Sequence, residues 1–372
     1  MEVVAIGSKE VDPIFSVKYR SEVNIRGTNI HLVCVDVERP DFNPNNPSNV
    51  RKVLVQVIAF SCNYRDKAII VKHALQRNSF ASAGVAPFGF FGSDFVARVM
   101  SIGAGVTSMR VGDRVIPDCS YPVARDDSAA PGVVTNEASR GWLILDEAKL
   151  MVIPHVMPDD IAAGFSIGGQ TASSLVRRTV YSDNDRVLLL SGRSNTSQFV
   201  SWILRERRMA CDLVTTSSWS EEECALVAPC MVKRVEASAA WAKNLPRAFY
   251  DVIIDPFFDL HIDSSIDLLR PGGRYITCGY KNQHSSFRDQ SDTSLALDLH
   301  SIMIKAMVRN VTLAGNCIGY SEDLKSAISL FEASRQAPVP TDRIFTLNAA
   351  ADFLDRTYNN KSRLGKVIMR YI

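Results

Sequence analysis

Four short, mostly apolar runs, separated by stretches with helical spacing, constrain the fold of this chain more than any other feature. The first run is the clearest, because its apolar residues are continuous, as in a strand buried on both faces of a parallel sheet. The runs are Arg186 to Ser191, Leu213 to Thr216, Val252 to Asp255 and Arg274 to Gly279. This alternation of strand and helix predicts a doubly wound α/β domain over residues 159–309.

The sequence before this region indicates β structure, with short β-branched runs separated by turn residues. These runs are Ile30 to Val35, Val53 to Ile58, Phe95 to Val99 and Arg114 to Pro117. They predict a small barrel-like domain. The tail differs again, with a strand at Val311 to Leu313, an amphipathic helix at Glu322 to Ser334 and a final strand at Lys366 to Met369.

Composition excludes several classes of protein. The 372 residues carry 42 Lys and Arg against 40 Asp and Glu, so there is no basic field to attract nucleic acid. No apolar run approaches the roughly 20 residues that cross a bilayer, and Met1 to Ala5 lack the features of a signal peptide. We expect a cytoplasmic protein of two domains, with neither membrane nor nucleic acid as a partner.

The eight cysteines are scattered along the chain. They lie at positions 34, 62, 119, 211, 224, 230, 278 and 317, and no two form a Cys-x-x-Cys pair. This spacing disfavours a zinc ribbon, an iron–sulfur centre and a disulfide scaffold. We therefore expect reduced thiols that are mostly core residues.

Six short stretches occur in an order that carries a family resemblance over nearly the whole chain. They are Asn63-Tyr64-Arg65-Asp66, Gly92-Ser93-Asp94, Gly103 to Val115, Gly168 to Ala172, Pro271 to Gly279 and Leu364-Gly365-Lys366. Together they resemble the medium-chain dehydrogenase/reductase superfamily, and within it the zinc-free quinone and enoyl reductases. The resemblance implies a GroES-like catalytic domain at residues 1–158, completed by 310–372, and a Rossmann domain at 159–309. It also implies an active cleft between the domains and a homodimer whose Rossmann sheets pair edge to edge.

The resemblance bears directly on zinc. Zinc-dependent members hold a catalytic zinc with Cys, His and a further Cys or carboxylate, and the resemblance places Asn63, Ser93 and Ala163 at those positions. An amide and a hydroxyl are poor zinc ligands, and a methyl group is none. We therefore expect no zinc. Without a Lewis acid on an alcohol oxygen, an activated C=C bond is the favoured substrate, because its carbonyl accepts the developing charge.

The turn after the first Rossmann strand departs from the glycine-rich pattern of the superfamily. Gly192 remains, but Ser194, Asn195 and Ser197 stand where glycines usually allow close approach of a pyrophosphate. Small polar side chains, backbone N–H groups and the following helix start can still bind that group, and the alternative is a degenerate site that has lost it. The predicted cofactor residues are Gly192, Arg193, Ser194, Asn195, Thr196, Ser197, Thr216, Ser217, Ser218 and Gly279.

The choice between NAD and NADP depends on the residues that end the second Rossmann strand. An NAD site usually has Asp or Glu there, but the chain has Thr215 to Ser218, and no acidic residue occurs until Glu221. Hydroxyls can donate to a 2′-phosphate, and Arg193 is a possible charge partner. We therefore expect NADPH, with NADH possible. The run Glu221 to Glu223 is expected in the first turn of a helix.

Three residues are the candidates for catalysis. Asn63 can hold the substrate carbonyl, Tyr64 can protonate the α-carbon or serve only in packing, and Ser93 can contact substrate. Asp66 is expected to be structural. The segments Phe88 to Phe91 and Lys281 to Asp298 are candidate pocket walls, with barrel core and a plain surface loop as their respective alternatives.

These observations predict an NADPH-dependent, zinc-independent reductase of an activated C=C bond in an enone, quinone or enoyl thioester. A variant is reduction of a dehydroamino acid in a modified peptide, as in lanthipeptide maturation, so the substrate is a small molecule or a peptide. The alternative from another class is a non-catalytic binding protein with a degenerate dinucleotide site. A zinc alcohol dehydrogenase with unusual ligands is the third possibility.

Overall fold

The computed structural model describes residues 1–8, 17–78, 87–237, 241–281, 297–334, 336 and 338–372. The chain divides into two compact units. Unit 1 comprises Met1–Ile167 and Thr341–Ile372, and unit 2 comprises Gly168–Pro340. These boundaries differ from those expected at residues 158/159 and 309/310. The chain returns to unit 1 later than expected, because the strand and helix after residue 310 belong to unit 2.

The elements follow the chain in this order. The strands are β1 Glu2–Ile6, β2 Val17–Ile25, β3 Thr28–Asp36, β4 Lys52–Ser61, β5 Asp94–Ile102, β6 Arg114–Pro117, β7 Trp142–Asp146, β8 Leu150–Val152, β9 Val187–Leu189, β10 Cys211–Thr215, β11 Met231–Arg234, β12 Tyr250–Asp255, β13 Leu269–Thr277, β14 Thr312–Gly315, β15 Thr341–Phe345 and β16 Lys366–Arg370. The helices are α1 Asp66–Asn78, α2 Asp159–Ala162, α3 Ser166–Thr179, α4 Asn195–Glu206, α5 Glu221–Val227, α6 Phe258–Ser265, α7 Leu299–Val308, α8 Ser321–Ser334 and α9 Ala350–Tyr358.

Unit 1 is built on β-sheets. One sheet in the described part of the unit has the strand order β15-β16-β4-β5-β6-β8. Strand β7 also belongs to this sheet and pairs with β4. A second, three-stranded sheet has the order β1-β3-β2. The four runs predicted as strands in this region are β3, β4, β5 and β6. Strand β16 pairs antiparallel with β4, so residues Thr341–Ile372 complete this unit.

The segment Phe88 to Phe91, a candidate pocket wall, belongs to the core of unit 1. Phe91 is fully buried and its ring meets that of Phe60 edge-on, with the centroids 5.8 Å apart. Phe88 and Phe90 pack on a buried cluster that contains Val3 and Val33. The barrel-core alternative therefore describes this segment. Of the other candidate wall, residues 282–296 lie outside the described residues.

Unit 2 contains a parallel sheet with the order β11-β10-β9-β12-β13-β14 among its described residues. Numbered from β9 within the unit, this order is 3-2-1-4-5-6, the Rossmann arrangement. The chain reverses direction across the sheet between β9 and β12, and such switch points are where α/β sheets bind ligands, beyond the carboxyl ends of the strands. Strand β14 pairs parallel with β13, which is why this segment belongs to unit 2.

Helices cover the sheet of unit 2 closely. Helix α3 continues through Gly168, where a Cβ would lie 2.4 Å from Cε2 of the Phe199 ring on α4. The absence of a side chain at Gly168 therefore permits this close approach. On the sheet itself, Leu188, Ile253 and Tyr275 are buried in one apolar cluster.

Asp251 in β12 is a buried charged residue held by two arginines. Its carboxylate accepts from the backbone N–H of Arg186 at 2.8 Å and from Arg186 Nε at 2.9 Å, and also from Arg270 Nε. Burial alone would raise the pKa of Asp251, but these hydrogen bonds lower it to about 2.

Cys211 and Cys230 form a disulfide, which corrects the expectation of reduced thiols for this pair. The two residues lie at the starts of the neighbouring parallel strands β10 and β11, where Asp212 is opposite Met231. Register therefore brings their Cα atoms to 4.4 Å. The other six cysteines form no disulfide.

Candidate functional site

The turn after β9 has a backbone conformation that few side chains tolerate. Ser191 has a φ of 56°, in the left-handed region. At Gly192, a Cβ would lie 2.4 Å from Leu213 Cδ2 and 3.2 Å from the carbonyl oxygen of Val214. The N–H of Gly192 donates to that same oxygen at 2.8 Å. The retained glycine is therefore needed to bring the turn against β10.

Serines take the places of the other glycines and hold the start of α4. The Ser194 hydroxyl accepts from the N–H of Ser197 at 3.3 Å, as an N-cap, and the Ser194 N–H donates to the carbonyl of Ser191 at 2.8 Å. The buried Ser197 hydroxyl donates to the carbonyl of Leu190 at 2.6 Å. The first N–H groups of α4 are thereby held at the carboxyl end of β9, a favourable position for a phosphate.

Two buried side-chain oxygens at the start of α4 have no hydrogen-bond partner among the described residues. They are Oδ1 of Asn195 and Oε1 of Gln198. The amide nitrogen of Gln198 donates to the carbonyl of Arg193 at 3.2 Å, which fixes the side chain. Buried polar atoms are nearly always paired, so these two oxygens are acceptors with unused capacity. A dinucleotide fits the start of α4, since its ribose hydroxyls donate and its phosphates accept from N–H groups.

Arg193 is the centre of a cluster with Ser217, Ser218, Trp219 and Glu223, which we call the Arg193 cluster. Its Nε donates to Ser217 Oγ at 2.7 Å, and one terminal nitrogen donates to the carbonyl of Ser218 at 2.9 Å. The two terminal nitrogens also bind the two carboxylate oxygens of Glu223, at 3.0 and 2.9 Å. The guanidinium carbon lies 5.1 Å from the centroid of the Trp219 ring. The predicted phosphate partner is thus already engaged by a carboxylate.

The remaining predicted cofactor residues lie at the same edge of the sheet. Thr216 is exposed just after β10, and the Thr196 hydroxyl forms a hydrogen bond with the thiol of Cys278. The carbonyl of Gly279 accepts from Thr277 Oγ1 at 3.2 Å, just beyond β13. The structure therefore gathers the predicted cofactor residues at the carboxyl ends of β9, β10 and β13.

In unit 1, the predicted residues Asn63 and Ser93 meet in a buried polar cluster with Asp66, Asp94 and Lys366. The amide nitrogen of Asn63 donates to Ser93 Oγ at 3.0 Å and to Asp94 Oδ2 at 2.9 Å. Ser93 in turn donates to Asp66 Oδ2 at 2.6 Å. We call this group the Asn63–Lys366 cluster. Both amide hydrogens of Asn63 are used inside it.

Lys366 supplies the positive charge of the Asn63–Lys366 cluster. Its ammonium lies 2.8 Å from Asn63 Oδ1 and 2.9 Å from Asp94 Oδ2, and the side chains of Lys366 and Asp94 are 4% and 0% exposed. Asp94 Oδ1 accepts from the N–H of Ile167 at 3.0 Å. Burial raises the pKa of Asp66, against the hydrogen bonds from Ser93 and the Asn63 N–H. The cluster thus holds a buried ion pair beneath the half-buried Asn63 side chain.

Lys366, Asp94 and Glu223 were not identified as site residues from the sequence. Lys366 and Asp94 each stand at the start of an apolar strand, and a charged residue in that position is a signal for a buried pair. Glu223 was assigned only to a helix start. That assignment holds, since Ser220 and Glu223 form a capping box on α5, but the same carboxylate also binds Arg193.

The geometry opposes the predicted substrate contact of Ser93. Its side chain is 0% exposed, and its hydroxyl both accepts from Asn63 and donates to Asp66. Tyr64, by contrast, is 37% exposed, with the ammonium of Lys67 4.3 Å from the centroid of its ring. Of the two, Tyr64 therefore has the surface position that a proton donor requires.

The residues at the positions of a zinc site do not fit zinc. Asn63 offers an amide and Ser93 a hydroxyl, and both are engaged with other groups of the cluster. Ala163 has no ligand atom in its side chain, and its carbonyl accepts from Ser61 Oγ at 2.9 Å. The Asn63 Oδ1 atom already accepts from the ammonium of Lys366 at 2.8 Å.

Among the described residues, no group of three or more His, Cys, Asp or Glu side chains is arranged to hold a metal ion. No helix in this part of the chain has the length and apolar character to cross a membrane.

Comparison with known proteins agrees with the fold. Residues 49–149 match the alcohol dehydrogenase GroES-like domain. A cobalt- and zinc-bound thermostable alcohol dehydrogenase from Pyrobaculum aerophilum is similar in structure, with a TM-score of 0.70, 19% identity and 100% of each chain covered. Quinone oxidoreductases from Pseudomonas syringae pv. Tomato DC3000 and Coxiella burnetii give TM-scores of 0.67 and 0.65, each at 17% identity with 100% of both chains covered. No curated protein sequence matches the chain.

The medium-chain dehydrogenase/reductase fold inferred from the sequence is therefore confirmed, with a GroES-like domain and a Rossmann-type parallel sheet.

Proposed function

We propose that this chain, which has the medium-chain dehydrogenase/reductase fold, is an oxidoreductase that uses a nicotinamide dinucleotide and acts without zinc. The observation that carries the proposal is the Asn63–Lys366 cluster. Where zinc-dependent relatives have metal ligands, this chain has an amide, a hydroxyl and a methyl group, with the ammonium of Lys366 2.8 Å from the amide oxygen. Such a set offers hydrogen-bond donors to a substrate oxygen, but it lacks the ligands that a divalent cation needs.

The proposed reaction is reduction of an activated C=C bond. A bound dinucleotide would supply the hydride for the β-carbon. The protein must then stabilise charge on the substrate carbonyl oxygen and provide a proton for the α-carbon. An alcohol substrate instead needs help in losing its hydroxyl proton, the task that a metal performs in zinc enzymes.

Asn63 and Tyr64 are the residues we propose to meet the substrate. Asn63 is the half-buried member of its cluster, and it would exchange one internal hydrogen bond for the substrate carbonyl. The Lys366 ammonium polarises the Asn63 amide from the other side, which strengthens it as a donor. Tyr64 would give its phenolic proton or relay one from water. Ser93 would anchor Asn63 rather than contact substrate.

The dinucleotide itself would be held by unit 2. The N–H groups at the start of α4 would bind the pyrophosphate, and the oxygens of Asn195 and Gln198 would accept from ribose hydroxyls. The sequence favoured NADPH because hydroxyls and no carboxylate follow β10, with Arg193 as a possible charge partner, but Glu223 occupies that arginine.

We also propose a homodimer formed through unit 2. Strand β14 is the last strand of the described sheet, and α7 carries a row of exposed apolar residues. These are Leu299, Met303, Ile304, Met307 and Val308. A strand edge with no partner among the described residues, together with an apolar helix face, suits a second copy of the chain. Light scattering on the purified protein should give twice the chain mass, and the double variant M307E/V308E should give a monomer.

The test of function is oxidation of NADH and NADPH in the presence of enones, quinones, enoyl thioesters and dehydroalanine peptides. Turnover of one class supports the proposal and names the substrate, and turnover of the peptides alone identifies a dehydroamino acid reductase. Turnover of simple alcohols with NAD(P)⁺ and none of these acceptors would contradict it. Nucleotide binding without turnover of any acceptor would favour a non-catalytic binding protein.

A further inference from the structure

The Arg193 cluster brings the carboxylate of Glu223 close to the end of β10, although no acidic residue directly follows that strand in the sequence. In dinucleotide sites of this sheet order, an Asp or Glu at the end of the second strand accepts from the adenosine ribose hydroxyls and disfavours a 2′-phosphate. Here that strand is β10, and the residues after it carry hydroxyls only. Glu223, from the first turn of α5, reaches the same place through Arg193, which also binds Ser217 and Ser218 just after β10.

The guanidinium of Arg193 is committed to this arrangement. It has five N–H donors, of which four make the bonds described above: one to Ser217, one to Ser218 and two to Glu223. A 2′-phosphate needs the same parallel pair of donors that the Glu223 carboxylate now holds. It would also approach a second negative charge.

Partial burial and several hydrogen bonds hold the side chain of Glu223 in place. Its side chain is 25% exposed and that of Arg193 is 16% exposed, so solvent screens the pair only in part. The carboxylate also accepts from the N–H of Ser220 at 3.0 Å, in the capping box of α5. Hydrogen bonds from Arg193 lower the pKa of Glu223, so it is ionised at neutral pH. The carboxylate is thus a fixed feature of the site.

We infer that Glu223 is a specificity-determining residue, which competes with the 2′-phosphate for Arg193 and makes the site favour NADH over NADPH. This inference rests on the proposed use of a nicotinamide dinucleotide. It reverses the preference that the sequence suggested, because spacing along the chain did not show that Glu223 returns to Arg193.

The test measures binding, so it does not depend on the substrate. Calorimetry of the full chain with NADH, NADPH, 5′-AMP and 2′,5′-ADP compares pairs of ligands that differ in the 2′-phosphate. Wild type should bind NADH and 5′-AMP more tightly. In Glu223→Gln, which keeps an acceptor for the Ser220 N–H, the ratio of NADPH to NADH affinity should rise at least about tenfold, because the like charge has been removed.

Two further variants make the comparison specific. Glu222→Gln removes a neighbouring, exposed carboxylate on the same helix turn and should leave the ratio unchanged. Adding Arg193→Gln to Glu223→Gln should abolish the gain, since the freed arginine is its source. Thermal melting confirms that each variant is folded.

The outcomes separate the inference from the proposed function. Binding of both dinucleotides with a wild-type preference for NADPH overturns the inference alone. An affinity ratio in Glu223→Gln within about twofold of that in Glu222→Gln also overturns it alone. If wild type and all variants bind neither dinucleotide, the proposed function fails and the inference fails with it.

Discussion

Removal of the Lys366 charge is the perturbation whose effect the structure defines best. Lys366→Met keeps the stem, which packs so closely on Gly164 that a Cβ there would lie 2.7 Å from Lys366 Cγ, and removes only the ammonium. Asp94 is then left buried at 0% exposure, without its partner at 2.9 Å. Breaking a buried ion pair in this way costs about 3–5 kcal/mol, or roughly 6–20 °C in the Tm of a domain of this size.

Thermal unfolding followed by circular dichroism measures this loss. Lys18→Met is the matched control in the same unit, because Lys18 pairs with Glu2 and Asp36 while remaining 46% exposed. The double variant K366M/D94N should regain much of the lost stability, since the uncompensated charge is gone. A Tm for Lys366→Met no lower than that of Lys18→Met, or a double variant less stable than the single one, would refute the buried ion pair.

Three more predictions concern unit 2. Gly192→Ala should lower the stability and weaken dinucleotide binding at least about tenfold, because its Cβ has no room beside β10. Gly315→Ala is the control in both thermal melting and calorimetry, because a Cβ at Gly315 meets nothing within 4 Å. Asp251 has its pKa lowered to about 2, so its contribution of about 2 kcal/mol is present above the unfolded pKa of 3.8 and is lost as the pH falls towards 2. Urea unfolding across this pH range should show a loss of stability that is smaller by about this amount in Asp251→Asn than in wild type. For the Cys211–Cys230 disulfide, titration of the denatured, unreduced protein should find six reactive thiols among the eight cysteines, and a count of eight would contradict the pairing. Reduction of the disulfide should lower the free energy of unfolding by about 3 kcal/mol, given its 19-residue separation.

The fold was predictable because each signal for it is local. The continuous apolar run before Ser191 indicated a buried parallel strand, and it became β9 at the centre of its sheet. The turn residues around Gly192 marked where that strand ends. The boundary near residue 310 was misplaced because pairing of β14 with β13 depends on register between segments, which periodicity along one segment does not show.

The candidate site was predictable only in part, for a related reason. Asn63 and Ser93 were placed together by family resemblance, but Lys366 comes 303 positions after Asn63 and reaches it only through the pairing of β16 with β4. Glu223 returns to Arg193 across 30 positions because α5 packs against α4, which begins just after Arg193. Such contacts are set by tertiary structure, so the sequence showed the side chains without showing which of them meet.

The central claim is that this chain transfers hydride from a nicotinamide dinucleotide without a metal. The most direct measurement is the rate of NADH or NADPH oxidation with the preferred acceptor before and after exhaustive dialysis against a chelator, with the zinc content determined on the same samples. The account predicts an unchanged rate in protein that holds far less than one zinc per chain. Loss of the rate on chelation, with recovery when zinc is restored at one equivalent per chain, would contradict it.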